Sequence, residues 1–318
     1  MQRTHYIIAA ALDRCRSALR ANVRPVVALA FALAVIGTSS TLVFGSAASA
    51  LPRPPAQPPG LDHFICYNAS VPPGVAFPVL PSQLKNQFPG AINLTQSSAK
   101  VDLHCNPATK KVTNVNGNVT SYAAKSPSWH LLCIALDASQ QPNTHVVKVS
   151  DQFGAAKLTT GPPAQFCLPS LKSLGPASNP MFTPPAASET MPDHFTCYPI
   201  ENPTGGQPFT QIPPVVMVKD QFTMKLVRVQ IGPPTTLCLP TQKTIEPNGP
   251  VTKITNATAH LLCFQVNGVP TGTVPIVFDE NQFNQKPFNP KKPGPGFTPI
   301  QIGTANSLCL PSYKKLLS

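Results

Sequence analysis

Asp193-His194-Phe195-Thr196-Cys197-Tyr198, then Asp220-Gln221-Phe222, then Cys238-Leu239-Pro240-Thr241-Gln242-Lys243: the chain writes this series four times. The other copies run His63 to Cys66, Asn86-Gln87-Phe88 and Cys105 to Lys110; His130 to Cys133, Asp151-Gln152-Phe153 and Cys167 to Lys172; and His260 to Cys263, Asn281-Gln282-Phe283 and Cys309 to Lys314. The shared grammar is H-x-x-C, then [DN]-Q-F, then C-x-P-x-x-K. An Asp-His start and a Cys-Tyr end mark the first and third copies, whereas His-Leu-Leu-Cys opens the second and fourth. The repeat is therefore nested: two units make a pair, and the pair is duplicated.

Between the motifs the apolar period is two. Val227, Val229 and Ile231 alternate with Arg228 and Gln230, and Val101, Leu103 and Cys105 with Asp102 and His104. Such alternation, bounded by Gly, Pro and Asn, marks half-buried strands. The expected fold is all-β: two tandem small antiparallel sandwich- or barrel-like domains, each built from two units. Domain 1 spans 61–174 (units 61–112 and 128–174) and domain 2 spans 192–318 (units 192–245 and 258–318), joined by a Pro/Ala/Ser linker at 175–191.

Eight cysteines follow the leader, an even number that points to a disulfide framework. Equivalent pairing inside each unit gives Cys66–Cys105, Cys133–Cys167, Cys197–Cys238 and Cys263–Cys309. Pairing between neighbours, such as Cys105–Cys133 and Cys238–Cys263, is the alternative. H-x-x-C also has the look of half a zinc site, but residues three apart on a strand face opposite ways, so no metal is expected. Asp or Asn of [DN]-Q-F suits an Asx-turn with the Phe in the core. The lysines Lys110, Lys172, Lys243 and Lys314 are expected on a solvated surface.

Forty prolines and only 11% charged residues in 318 positions argue against long helices, while a hydrophobic fraction of 42% argues against disorder. The net charge is +12, with five basic residues among the first 24 positions. Arg14 to Arg24, the apolar run from Val26 to Ile36 and Ala48-Ser49-Ala50 form the three parts of a secretory signal peptide, expected at 1–50. An uncleaved anchor over Val26 to Phe44 is the alternative, weakened by the polar Thr38 to Thr41. Residues 51–60 form a Pro-rich spacer. Beyond Arg24 the charge is scattered, with 19 basic and 11 acidic side chains and no cluster of the kind nucleic acids need.

Motifs for nucleophilic, zinc-hydrolase or phosphate-loop chemistry are absent, and no cofactor is implied. Possible ligand contacts are Trp129, near the inter-unit turn although directly before a strand that favours its burial, and Lys291 and Lys292 in an insertion of the fourth unit (Lys286 to Phe297). Taken in order, the motifs resemble those of a family of secreted, mostly bacterial Cys-pair β repeats catalogued as a domain of unknown function. The first unit departs from that pattern, with His104-Cys105-Asn106-Pro107 in place of Leu-Cys-Leu-Pro. The resemblance implies the architecture and no activity. The expected function is that of an exported structural or adhesion-type protein, without catalysis. Its partner would be an anionic envelope polymer, a glycan or a protein, with no nucleic acid and no membrane span after signal removal. A carbohydrate-binding module is the alternative, and a secreted hydrolase the third.

Overall fold

The computed structural model describes residues 58, 60–95, 100–113, 117–137, 144–174, 181–201, 209, 212–213, 215–269, 276–284 and 296–317. The leader, most of the spacer, Lys291 and Lys292 lie outside them.

Each unit contributes a first strand carrying H-x-x-C: β1 (His63–Ser70), β6 (His130–Ala135), β10 (His194–Glu201) and β14 (His260–Asn267). Each also contributes a last strand carrying C-x-P-x-x-K: β4 (Val101–Thr113), β9 (Gln165–Ser173), β12 (Val227–Ile245) and β16 (Thr298–Leu316). The two cysteines of a unit sit directly opposite one another, Cys66 against Cys105, Cys133 against Cys167, Cys197 against Cys238 and Cys263 against Cys309. Each pair is a disulfide, so the within-unit pairing is the one adopted.

Every first strand also pairs with the last strand of a neighbouring unit: β4 with β6, β9 with β10, β12 with β14, and β16 with β1. Together with the four pairings inside units, this closes a ring of eight antiparallel strands. Leu51–Ser318 is accordingly one compact unit. Strand pairing ignores the expected boundary at 175–191, and the halves read as tandem domains complete one another. Residues 181–191 are tied down: Glu189 accepts hydrogen bonds from Ser128 N at 2.8 Å and Ser128 Oγ at 2.9 Å, and Thr190 N donates to Ser126 Oγ at 3.0 Å.

Period-two alternation sorts side chains inside and outside this ring. Phe64, Leu131, Phe195, Leu261 and the eight cysteines face inward and form one apolar cluster. An eight-stranded barrel has an interior that side chains just fill. Ile65, Tyr67, Ile134, Tyr198 and Phe264 face outward into a second, larger core.

That outer core is roofed by strands inserted between the first and last strand of each unit: β2 (Ser82–Lys85), β3 (Ile92–Leu94), β7 (His145–Asp151), β8 (Gly154–Thr160), β11 (Val215–Lys219) and β15 (Val277–Asn281). Two short strands, β5 (Val119–Tyr122) and β13 (Val251–Thr252), flank them. Each last strand runs past its proline out of the ring and meets the inserted strand of the unit opposite. β2 pairs β12, β7 pairs β16, β11 pairs β4 and β15 pairs β9. Four such wings surround the barrel. Among the described residues no helix is long and apolar enough to cross a membrane.

Candidate functional site

The shared motif is spent on the junctions between wings. In every copy the Asx side chain accepts the backbone N–H of the Phe two residues on, at 2.8, 2.6, 3.0 and 2.8 Å for Asn86, Asp151, Asp220 and Asn281. The turn thus aims each Phe inward, where the motif lysine of the preceding unit lies over its ring: Lys110 over Phe153 at 4.7 Å, Lys172 over Phe222 at 3.9 Å, Lys243 over Phe283 at 4.7 Å and Lys314 over Phe88 at 4.6 Å. The expected solvated row is therefore wrong: Lys110 and Lys243 are fully buried and the other two partly so. Their stems cover apolar surface and their ammonium groups rest on aromatic faces. Burial lowers Lys243 to about 7 and Lys314 to about 8.

The motif histidines stand on the outer face, opposite the cysteines, and three of them meet the Gln of the next unit. Gln152 is 2.7 Å from His63, Gln282 3.2 Å from His194 and Gln87 3.1 Å from His260. At His130 the symmetry breaks. Gln221, exposed, donates instead to Pro127 O at 3.2 Å.

Around that break the wings hold a polar cluster that the other three junctions lack. His104 and Asn106 occupy columns filled by Phe166, Leu237 and Leu308, and by Leu168, Leu239 and Leu310. Asp279 occupies the column of Leu84, Val149 and Val218, and lies opposite Lys172 in register. Lys172 Nζ donates to Asn106 Oδ1 at 2.8 Å, and Asn106 Nδ2 donates to Asp220 Oδ2 at 2.9 Å. His104 Nε2 is 3.7 Å from Asp279 Oδ2, and the His104 and His130 rings are 5.5 Å apart. The Tyr67 hydroxyl lies beside Asp220 without closing a full hydrogen bond, and burial and that carboxylate both push it upward. Desolvation raises Asp279 to about 7, and lowers Lys172 to about 7 against the pull of Asp220 and Asp279. It also holds His104 and His130 well below their ordinary value, helped by the Lys172 charge. His104, Asn106 and Asp279 are fully buried, so the cluster fixes one junction and offers no face to a substrate.

Inside the barrel the disulfides stack. Cys66 Sγ lies 3.6 Å from Cys309 Sγ, and Cys167 Sγ 3.7 Å from Cys197 Sγ. Beside them is a cavity of about 40 Å³, whose lining turns polar at Gln165, Thr236, Asn306 and Ser307. Ligand pockets run to roughly 300–1,000 Å³, so this space suits a few waters and no metabolite. A shallow surface groove of about 270 Å³ is lined by Lys111, Thr113, Val215, Met217 and Arg228.

Of the residues singled out in the sequence, the eight cysteines come together in the lumen. Trp129 is 3% exposed, so its ring is not offered to a sugar. Among the described residues no three His, Cys, Asp or Glu side chains are grouped to hold a metal ion. The polar cluster was visible in principle: alignment of the four copies puts three polar residues into apolar columns. No family model, characterised protein or solved structure matches the chain.

Proposed function

We propose that this is an exported, non-catalytic β scaffold that binds anionic polymers of a cell envelope. What supports it most is a burial asymmetry. Asp62, Asp151, Asp220, Asp279 and Glu280 are buried, against Lys110 and Lys243 among the fully buried cations. The outer surface is thus more cationic than the 19 basic and 11 acidic side chains beyond Arg24 suggest. Export accords with four disulfides, which persist in oxidising compartments, and with the leader composition at 1–50. The repeated residues are consumed by the scaffold itself, leaving recognition to surface positions that differ between copies.

The test is retention of the disulfide-intact protein on isolated anionic envelope polymer over a salt series. Retention at low ionic strength that weakens steadily as salt rises is expected, because exposed charges are screened within about 10 Å at 0.1 M salt. Absence of retention at the lowest salt sinks the proposal.

A further inference from the structure

One wing carries a charge arrangement that the other three do not. Lys148 on β7 is the register partner of Lys315 on β16 and of Lys157 on β8. Directly opposed residues on adjacent antiparallel strands project from the same face, with Cβ atoms roughly 5 Å apart. Three exposed lysines therefore stand in one straight row about 10 Å long across three strands. Like charges placed directly opposite destabilise a sheet.

Among the described residues no carboxylate lies within 4.0 Å of a lysine of the row. The flanking rows are Tyr313–Ser150–Ala155 on one side and Val146–Thr159 on the other. The nearest acid in register is Glu201, opposite Thr159 on β10, one strand beyond the row.

The fold does not require lysine there. The same three-strand row reads Thr244–Gln83–Asn93 in the wing of β2 and Ser173–Phe278–Pro299 in the wing of β15. In the wing of β11 it reads Lys111–Met217–Arg228, cationic at both ends. A destabilising arrangement present in one copy only, on an exposed sheet face, points to an anion that covers it.

We propose that the Lys315–Lys148–Lys157 row is a docking site for a linear, flexible, phosphate-bearing polymer that carries no nucleobases; this rests on the anionic-polymer reading above and names its site and ligand class. All three cations are lysines, compact point charges that suit phosphates presented in varied orientations. The arginine fork, which engages carboxylate or phosphate in one fixed bidentate geometry, is absent from the row. In the flanking rows Ser150, Ala155 and Thr159 are small or polar and Val146 and Tyr313 are half-buried, so they give no exposed apolar wedge for insertion into a bilayer. Stacking platforms for nucleobases are also lacking, since Tyr313, half-buried, is the one aromatic in the flanking rows.

The experiment is calorimetric titration of the disulfide-intact protein with long-chain inorganic polyphosphate over a salt series. It compares the wild type, K148Q/K157Q/K315Q, and a control triple at equally exposed lysines, K85Q/K100Q/K253Q. The row variant is expected to bind about tenfold more weakly at low salt, given the modest worth of each exposed charge pair. Its log–log salt slope should fall by about 2, for three lost charge contacts on a flexible strand. The control triple should stay within about threefold of wild type. Equal weakening of both triples overturns the docking site while leaving general anionic binding intact. Binding of wild type to polygalacturonate but not to polyphosphate overturns the phosphate assignment alone. Binding to neither overturns this inference and the function it rests on. Tighter row-dependent binding to a single-stranded oligonucleotide or to anionic vesicles reassigns the row and overturns the proposal.

Discussion

Asp62 and Asp193 explain why the Asp-His form opens each pair of units. Asp193 receives Thr255 N at 2.8 Å, Thr255 Oγ1 at 2.7 Å and Asn256 N at 2.8 Å, in the turn that leads into β14. Asp62 receives Lys125 N and Ser126 N, both at 2.8 Å, in the turn that leads into β6. Hydrogen bonds to a charged acceptor contribute about 1.5–3 kcal/mol. Asp193→Ala should therefore lower unfolding stability by about 2 kcal/mol in urea titrations, and an unchanged midpoint would contradict the clamp. The polar junction gives a paired prediction. Lys172→Met alone leaves Asp220 and Asp279 buried without their nearest cation and should cost about 3 kcal/mol. H104L/N106L/D279V, which puts the apolar residues of the other copies into those three columns and keeps Lys172 to offset Asp220, should equal wild type or exceed it by about 1–4 kcal/mol. If the combined variant is much less stable, the cluster is more than a packing alternative.

At the level of elements, each disulfide joins two strands already paired in register and closes a loop of 34 to 46 residues. Loop-closure entropy assigns about 4 kcal/mol to each such loop. C197A/C238A should lose on the order of that amount in a denaturant titration, and a loss below about 1 kcal/mol would place the stability in strand pairing instead. Cysteine pairing, strand character and the Asx turns were legible because each follows from local spacing or from fourfold recurrence. Ring closure was not, since period-two alternation tells a strand which face to bury but not which neighbour shares its edge. The buried lysines were illegible for a different reason: an ammonium normally stays in water, and only an aromatic face brought from the next unit makes an interior place for it. The Lys148 row likewise draws on three strands, two from the second unit and one from the fourth.

At the scale of the whole molecule, five buried histidines are held neutral. Burial holds His63, His104, His130 and His194 well below their ordinary value, and His260 at about 4. A depressed folded-state value means stability that is present above about 6.5 and lost as pH falls. Asp151 and Asp279, each raised to about 7, act in the opposite sense between about 4 and 7. Five imidazoles against two carboxyls leave a net uptake of about three protons on unfolding near pH 5. Urea unfolding should thus show stability falling from pH 7 to pH 5. Above neutrality, Lys172 and Lys243 at about 7 lose their burial penalty as pH rises toward the ordinary lysine value, so stability should climb further. A flat profile from pH 5 to 9 would mean that these groups are hydrated in solution.

The β1–β16 seam has a consequence for how the chain comes into being. Cys66 and Cys309, whose sulfurs touch, are separated by 243 positions. A polypeptide made at about 5–20 residues per second exposes the free edge of β1 for tens of seconds before β16 emerges to cover it. Nascent chains that stall before Thr298 would display unpaired strand edges on both sides of an unclosed ring, the state most prone to edge-to-edge association. Closure of the ring therefore waits on the nineteen residues of β16.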